Sequence, residues 1–287
     1  YPEAFKKSAM FKGETLGFPL RAHPMLMFYR KDLFAKHGLA APKTWNEVVR
    51  AGKKIKQQEG IGGLACYFGA DGNRQNLFIW LNYIWATGTD VFDKQMKPAW
   101  ATPAGLKATR DYVDLHTKNN ICGKGAVSNV EQDARIQFAQ GNAAMMPVWW
   151  WAYSGFYNPN QSKLTKDQVG FAGMPSYRGK TVTYAISMPY SISKYSKNKE
   201  AAWEFMKWLS NPELDRRNAI ERSVRGEKIV NNVVTHKSSM ADAEVNAAND
   251  NIQKAALASL ANSDIMPQIP EWPEVGDLLS NAIQKAS

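Results

Sequence analysis

Cysteine and histidine are scarce in this chain, with two and four in 287 residues. Cys66 and Cys122 form neither a CxxC pair nor a zinc-ligand spacing, so a cysteine metal site and a thioredoxin-like redox motif are excluded. A disulfide is permitted by the sequence but not indicated. So few cysteines suit a cytosolic protein, and equally a large periplasmic one whose core needs no bridges. His23, His37, His116 and His236 are scattered, and none stands in an HExxH frame. There is no GxSxG elbow and no Walker A loop. Gly60-Ile61-Gly62-Gly63-Leu64-Ala65 fits GxGxxA in letters, but it follows a helix pattern and precedes a strand, the reverse of a dinucleotide loop. No apolar run approaches the roughly 20 residues of a bilayer-spanning helix. No signal-peptide pattern opens the chain at Tyr1-Pro2-Glu3, so any leader is expected outside this sequence.

What is present is the composition of a globular chain, 44% hydrophobic and 22% charged, long enough for one large or two ordinary domains. The net charge of +10 permits anionic partners, yet the basic residues are dispersed. The densest group, Lys53-Lys54-Ile55-Lys56, reads as the solvated face of a helix. No basic region interleaved with aromatics suggests nucleic-acid binding.

Helix and strand signals alternate, which predicts an α/β fold. Thr44 and Glu47 form a capping box that opens a helix to about Gln58, and Leu64–Phe68 reads as a strand. Phe78–Ala86 is expected to be a buried helix. Thr102-Pro103 starts a helix to about Asn119, with Leu106, Tyr112 and Val113 facing inward. Glu131–Gln140 is a helix stopped by Gly141. Val169–Met174 and Tyr184–Ile192 are strand-like. Asn198–Ser210 spaces Ala202, Phe205, Met206 and Leu209 as one helical face. Ala241–Ala261 reads as one long alanine-rich helix, and Val275–Ala286 as the last.

The most informative stretch is Gly141–Phe156, where three tryptophans follow a short apolar run. If that strand continues through them, Trp149 and Trp151 share one face and Trp150 takes the other. Indole faces suit the C–H-rich faces of a sugar or polyol. Core packing is the competing reading. Glu271 and Glu274 flank Trp272 and raise the alternative of a glycosidase pair, but they lie three residues apart in a proline-rich loop with no identifiable second carboxylate.

Several segments, in order, resemble a known family. They are Gly13–Pro19, Met27–Phe34, Pro42–Trp45, Phe138–Met146, Tyr184–Lys194, Lys197–Phe205 and Ile265–Pro270. Together they resemble the extracellular solute-binding proteins of ABC sugar importers, the maltose-binding-protein-like group. The resemblance implies a periplasmic-binding-protein type II fold: two α/β lobes joined by crossing hinge strands, closing on a ligand. It also implies an incomplete first lobe in this chain. Residues 1–23 would end the first lobe, 24–184 form the second, 185–240 return to the first, and 241–287 span the hinge and complete the second.

By the same resemblance, Trp151 corresponds to a sugar-stacking tryptophan, with Trp149 beside it. His23 lies on the first crossover strand at a polar contact position, with Arg21 and Pro24 as neighbours. Gln75 and Asn76 lie near a family contact. Tyr184, Ala185 and Ser187 lie on the second crossover, Trp272 and Glu271 near the third, and Arg225 follows the return-segment helices. Two departures set the chain apart: Arg30 stands where the family usually has asparagine, and Trp149-Trp150 replaces an Asn-Gly or Gly-Pro pair. The implied function is a non-enzymatic periplasmic receptor, a monomer when complete. It would deliver a carbohydrate or polyol to an ABC permease, without metal, cofactor or nucleic acid. The alternatives are a carbohydrate-active enzyme, or the same fold with an anionic solute such as a glycerol phosphate.

Overall fold

A computed structural model describes residues 1–71, 73–221, 223–224, 227–228 and 234–287, with the backbone alone for 221, 223, 224, 227 and 228. The helices are α1 (Glu3–Ser8), α2 (Lys31–Lys36), α3 (Trp45–Glu59), α4 (Leu77–Ala86), α5 (Pro103–Val113), α6 (Glu131–Ala139), α7 (Lys199–Leu209), α8 (Pro212–Glu221), α9 (Lys237–Ala241), α10 (Ala243–Ala248), α11 (Ile252–Leu260) and α12 (Trp272–Ala286). The strands are β1 (Met10–Phe11), β2 (Glu14–Thr15), β3 (Phe18–Arg30), β4 (Met145–Trp149), β5 (Val169–Ala172), β6 (Thr183–Tyr190), β7 (Ser223–Val224), β8 (Glu227–Lys228) and β9 (Ser263–Asp264). The fold is α/β.

The chain packs as two units. The first holds Tyr1–Met25, Trp149–Ser154 and Ala185–Gln268, and the second Leu26–Val148, Gly155–Tyr184 and Ile269–Ser287. Within the expected 241–287 segment, the part up to Gln268 packs with the first unit and the remainder with the second.

In the first unit, β3 pairs antiparallel with β6, in register from Phe18↔Tyr190 to Pro24↔Ala185, with a shift between Pro19 and Arg21. β9 lies beside β6. Helices α8 to α11 pack on one another around Leu214, Met240, Val245, Ile252 and Ala256. The expected single helix over 241–261 is two helices. Asp250 and Asn251 adopt left-handed φ of 56° and 64°, a conformation aspartate and asparagine tolerate, and they break it. The amide of Asn249 donates to Ala219 O and Val245 O at 3.0 and 2.7 Å, which secures the break. α7 departs further from expectation. Of its predicted inner face only Met206 is buried, and Phe205 is 56% exposed. Its apolar stripe is wider than the surface that covers it among the described residues: Ala202 and Leu209 are half-buried beside Met206, while Trp203, Phe205 and Trp208 are exposed.

In the second unit, Met27–Arg30 of β3 pairs antiparallel with β5, and β4 also neighbours β3. α3 opens on the predicted capping box: the Glu47 N–H donates to Thr44 Oγ1 at 3.1 Å, and the Glu47 carboxylate accepts from the Thr44 N–H. Gly60, at φ +69°, ends it. Trp45, Val48, Ala51 and Ile55 form its buried stripe. A Cβ on Gly63 would stand 2.4 Å from Gly52 Cα, so these two glycines allow the backbones to meet. Lys53 and Lys54 face solvent as expected, but Lys56 Nζ donates to Asn120 O and Cys122 O at 2.8 and 2.9 Å. α5 ends at Val113, earlier than expected, and Leu106 is 53% exposed. Gly105, Ala108 and Tyr112 make the inward stripe, and that phase turns Leu106 outward. Cys66 and Cys122 are joined in a buried disulfide, Cα–Cα 5.4 Å, next to the parallel bridge of Leu64 with Cys122.

Candidate functional site

The tryptophan segment is positioned from both ends. α6 stops at Gly141, φ +77°, and β4 follows with all five residues buried. The expected continuation of that strand through Trp151 does not occur. β4 ends at Trp149, and Trp150–Tyr157 winds into 3₁₀ turns. The three indoles therefore separate by a change of backbone conformation rather than by strand alternation. Trp150 is fully buried, and its Nε1 donates to Ala22 O at 2.8 Å, tying the turn to β3. Trp149 is buried and Trp151 half-buried.

His23 stands next to that tie. Its ring centroid lies 5.8 Å from that of Trp149 and 6.5 Å from that of Trp151, edge-on to both at 70° and 86°. These are favourable edge-to-face aromatic geometries. Burial, assisted by the charge of Arg21, pushes the His23 pKa down to about 4, so the imidazole is neutral at physiological pH. Nε2 of His23 is buried without a hydrogen-bond partner among the described residues. Arg21 is exposed on the same strand face, two residues away. The Ser259 hydroxyl donates to Met25 O at 3.1 Å and secures β3 just beyond His23. Sequence reasoning did not single out Ser259, because a serine 234 positions away from its acceptor carries no local signal.

The remaining candidates are placed differently. Ser187 pairs with Ala22, so it lies on the sheet face opposite His23. Its hydroxyl lies 2.7 Å from Ser8 Oγ and within reach of Phe5 O, so it is engaged inside the first unit. Ala185 is fully buried and Pro24 buried.

In the second unit, the Tyr184 ring stacks on Phe78 at 5.0 Å and its N–H donates to Asn82 Oδ1. Asn76 is fully buried and fully engaged: its amide donates to Phe68 O and Ser280 O, both at 2.9 Å, and accepts from Ser280 Oγ. Gln75 Oε1 accepts the Glu131 N–H at the start of α6. Glu131 is a buried carboxylate held by Arg135 at 2.7 Å, and desolvation raises its pKa. Arg74, not singled out from sequence, reaches Pro273 O and Asp277 at 3.0 and 3.1 Å and fastens this loop to α12. Trp272 is buried in the first turn of α12, whereas Glu271 and Glu274 face solvent. Arg225 lies outside the described residues. Among the described residues no group of His, Cys, Asp or Glu is placed to hold a metal ion, and no helix is long and apolar enough to cross a membrane.

The structure thus brings together His23, Trp149 and Trp151, with Arg21 alongside. It does not bring Asn76 or Ser187 a free polar group to offer.

The comparisons agree with this architecture. The chain belongs to the bacterial extracellular solute-binding protein family, which matches residues 2–215. It is 28% identical to a Brucella abortus (strain 2308) protein named as a binding protein, over 98% of this chain and 65% of that protein. Maltose-bound MalE3 of T. maritima superposes with a TM-score of 0.83 at 27% identity, over 99% of this chain and 70% of that one. An ABC transporter solute-binding protein of Agrobacterium vitis S4 with bound D-mannitol gives 0.77 at 27% identity, over 98% and 70%. The chain therefore spans about two thirds of the length of these relatives.

Proposed function

We propose that this chain captures a carbohydrate or polyol for an ABC importer, as a non-enzymatic periplasmic receptor that passes its ligand to a membrane permease. The observation that carries this is the grouping of His23, Trp149 and Trp151. Two indoles supply apolar faces for a pyranose or polyol backbone, and the imidazole supplies a polar group between them. The relatives named for maltose and D-mannitol support the same class of solute. The buried disulfide suits an oxidising compartment such as the periplasm. Binding requires no bond to be made or broken, and the receptor works as a monomer.

Titration of the purified protein with D-mannitol, ribitol, maltose and other neutral sugars tests this. At least one solute should change tryptophan fluorescence and raise Tm, and Trp151→Ala should weaken that binding at least about tenfold. Silence across the whole panel overturns the proposal. Exposed Arg21 beside His23 favours one second reading, an anionic solute such as a glycerol phosphate. Its signature is affinity that falls steeply with salt.

A further inference from the structure

In the second unit, the 38–43 loop after α2 bends back beside α3 and leaves an open groove of about 330 Å³. Its floor is apolar, made by half-buried Leu39 and Ala41 and buried Ala51. Its rim is cationic, with Lys43 on the loop and Arg50 on α3. The loop is held at both ends. Lys54 Nζ donates to His37 O at 2.8 Å, and the Leu39 N–H donates to Phe34 O at 2.8 Å. At the far end the Lys43 N–H donates to the Glu47 carboxylate at 2.7 Å, and Lys43 O accepts from the Ser176 N–H at 2.8 Å. The groove is therefore preformed, which lowers the ordering cost of anything that binds there.

The charges on the rim are not used up within the fold. Glu47 is the carboxylate that lines the groove, and the Lys43 and Thr44 N–H groups already engage it at 2.7 and 3.1 Å. Arg50 stays 3.9 Å from it, beyond hydrogen-bond distance. No hydrogen bond or ion pair engages Lys43 Nζ among the described residues, and none engages the N–H groups of Ala40 and Ala41. The floor presents no polar side chain, so a small hydrophilic solute finds nothing there to fix its orientation. A flat lipid surface does not enter a concave groove. The pattern suits an extended chain that lays an apolar side chain on the floor, offers carbonyls to the loop and brings carboxylates to the rim.

We propose that this groove docks an acidic, extended segment of a partner protein, with one apolar side chain on the floor and carboxylates paired with Lys43 and Arg50. The proposal goes beyond the receptor function and does not depend on it. The groove lies wholly within the second unit and takes no residue from the tryptophan group. It gives the second unit a protein-recognition surface of its own.

The test follows the fluorescence anisotropy of a labelled peptide of sequence DEDLEE as the purified chain is added. Saturable binding is expected, weakening as salt rises. Lys43→Glu combined with Arg50→Glu should weaken it at least about tenfold. Ala40→Trp, which fills the groove and leaves its charges in place, should weaken it by a similar factor. Exchange of the peptide leucine for serine removes the apolar contact and should cost about tenfold. Lys285→Glu, on α12 and outside the groove, should leave binding within about twofold. All four substituted positions are exposed, so each variant should keep the wild-type Tm and the wild-type response to D-mannitol and maltose.

A peptide that does not bind, or that binds equally well with serine in place of leucine, overturns the inference. So does a Lys285→Glu variant that weakens binding as much as the rim variants, because the attraction then belongs to the +10 charge of the whole chain. Phosphatidylglycerol vesicles that bind the wild type and not the Lys43→Glu, Arg50→Glu protein would give the rim to a lipid surface and overturn it as well. None of these outcomes touches the receptor function, which fails on silence across the solute panel instead.

Discussion

Helices α4 and α7 are both rich in large apolar side chains, and they end in opposite environments. α4 buries nine of its ten residues in the second unit. α7, in the first unit, buries Met206 alone, and Trp203, Phe205 and Trp208 stand 45, 56 and 55% exposed. The difference lies in what surrounds them. α4 packs on α5 and α12, with Trp80 edge-on to Trp100 and Tyr83 against Tyr112. α7 meets α8, while Phe18 stacks on Trp203 at 5.6 Å and Phe205 and Trp208 stack on each other at 5.8 Å. An apolar stripe on a helix states a demand for a covering surface, and it does not show that one is at hand. The second unit is also the one crossed by a disulfide.

The largest expected effect breaks the comparison at α4. Trp80→Ala removes a fully buried indole whose Nε1 donates to Thr109 Oγ1 at 2.8 Å. It should cost about 3–5 kcal/mol in urea unfolding, and a loss below about 1 kcal/mol would remove α4 from the core.

The disulfide comes next. Replacing Cys66 and Cys122 together by alanine opens a loop of 56-residue separation. The loss expected from chain entropy is about 4 kcal/mol. Because the bridge is buried, a thiol reductant should cleave it only once the protein is unfolded, and a thiol-alkylating reagent should label Cys66 and Cys122 only after that reduction.

Acid should act on the first unit through His23. Its folded pKa, about 4, lies below the ordinary 6.5, so the unfolded chain takes up the proton first. Stability is therefore lost as pH falls from about 6.5 towards 4, by about 3 kcal/mol in all. Unfolding measured across that range should show this component in the wild type and lack it in His23→Gln.

The smallest effect sharpens the comparison at α7. Phe205→Ser and Trp208→Ser should change stability by no more than about 0.5 kcal/mol while reducing the binding of an apolar dye. A loss as large as that of Trp80→Ala would show that α7 is covered in solution.

Much of the local architecture was legible in the residues. The Thr44–Glu47 box, the glycine stop of α3 and the buried run of α4 rest on interactions within a few positions of one another. Separation of Trp150 from its two neighbours was expected as well, but from strand alternation, and the structure reaches it through a 3₁₀ turn and a bond to Ala22. Other features were hidden. Asn76 reads as a polar group available to a ligand until Ser280, 204 positions away, takes up its amide. Ser187 is engaged in the same way by Ser8, 179 positions earlier. Leu106 points outward because the small residues Gly105 and Ala108 set the phase of α5, which hydrophobicity alone does not reveal.

By itself, the sequence determined the alternating helices and strands, their caps, the solute-binding family and the importance of the tryptophan run. These depend on short-range backbone chemistry and on ordered local motifs. Only the tertiary structure decided that Cys66 meets Cys122, that β4 stops at Trp149, that α7 is left largely uncovered, and that His23 stands between two indoles with a buried nitrogen unmet. Each of those depends on which distant segment comes to lie alongside. Burial and hydrogen-bond satisfaction belong to pairs of surfaces, and one surface read alone leaves its partner unspecified.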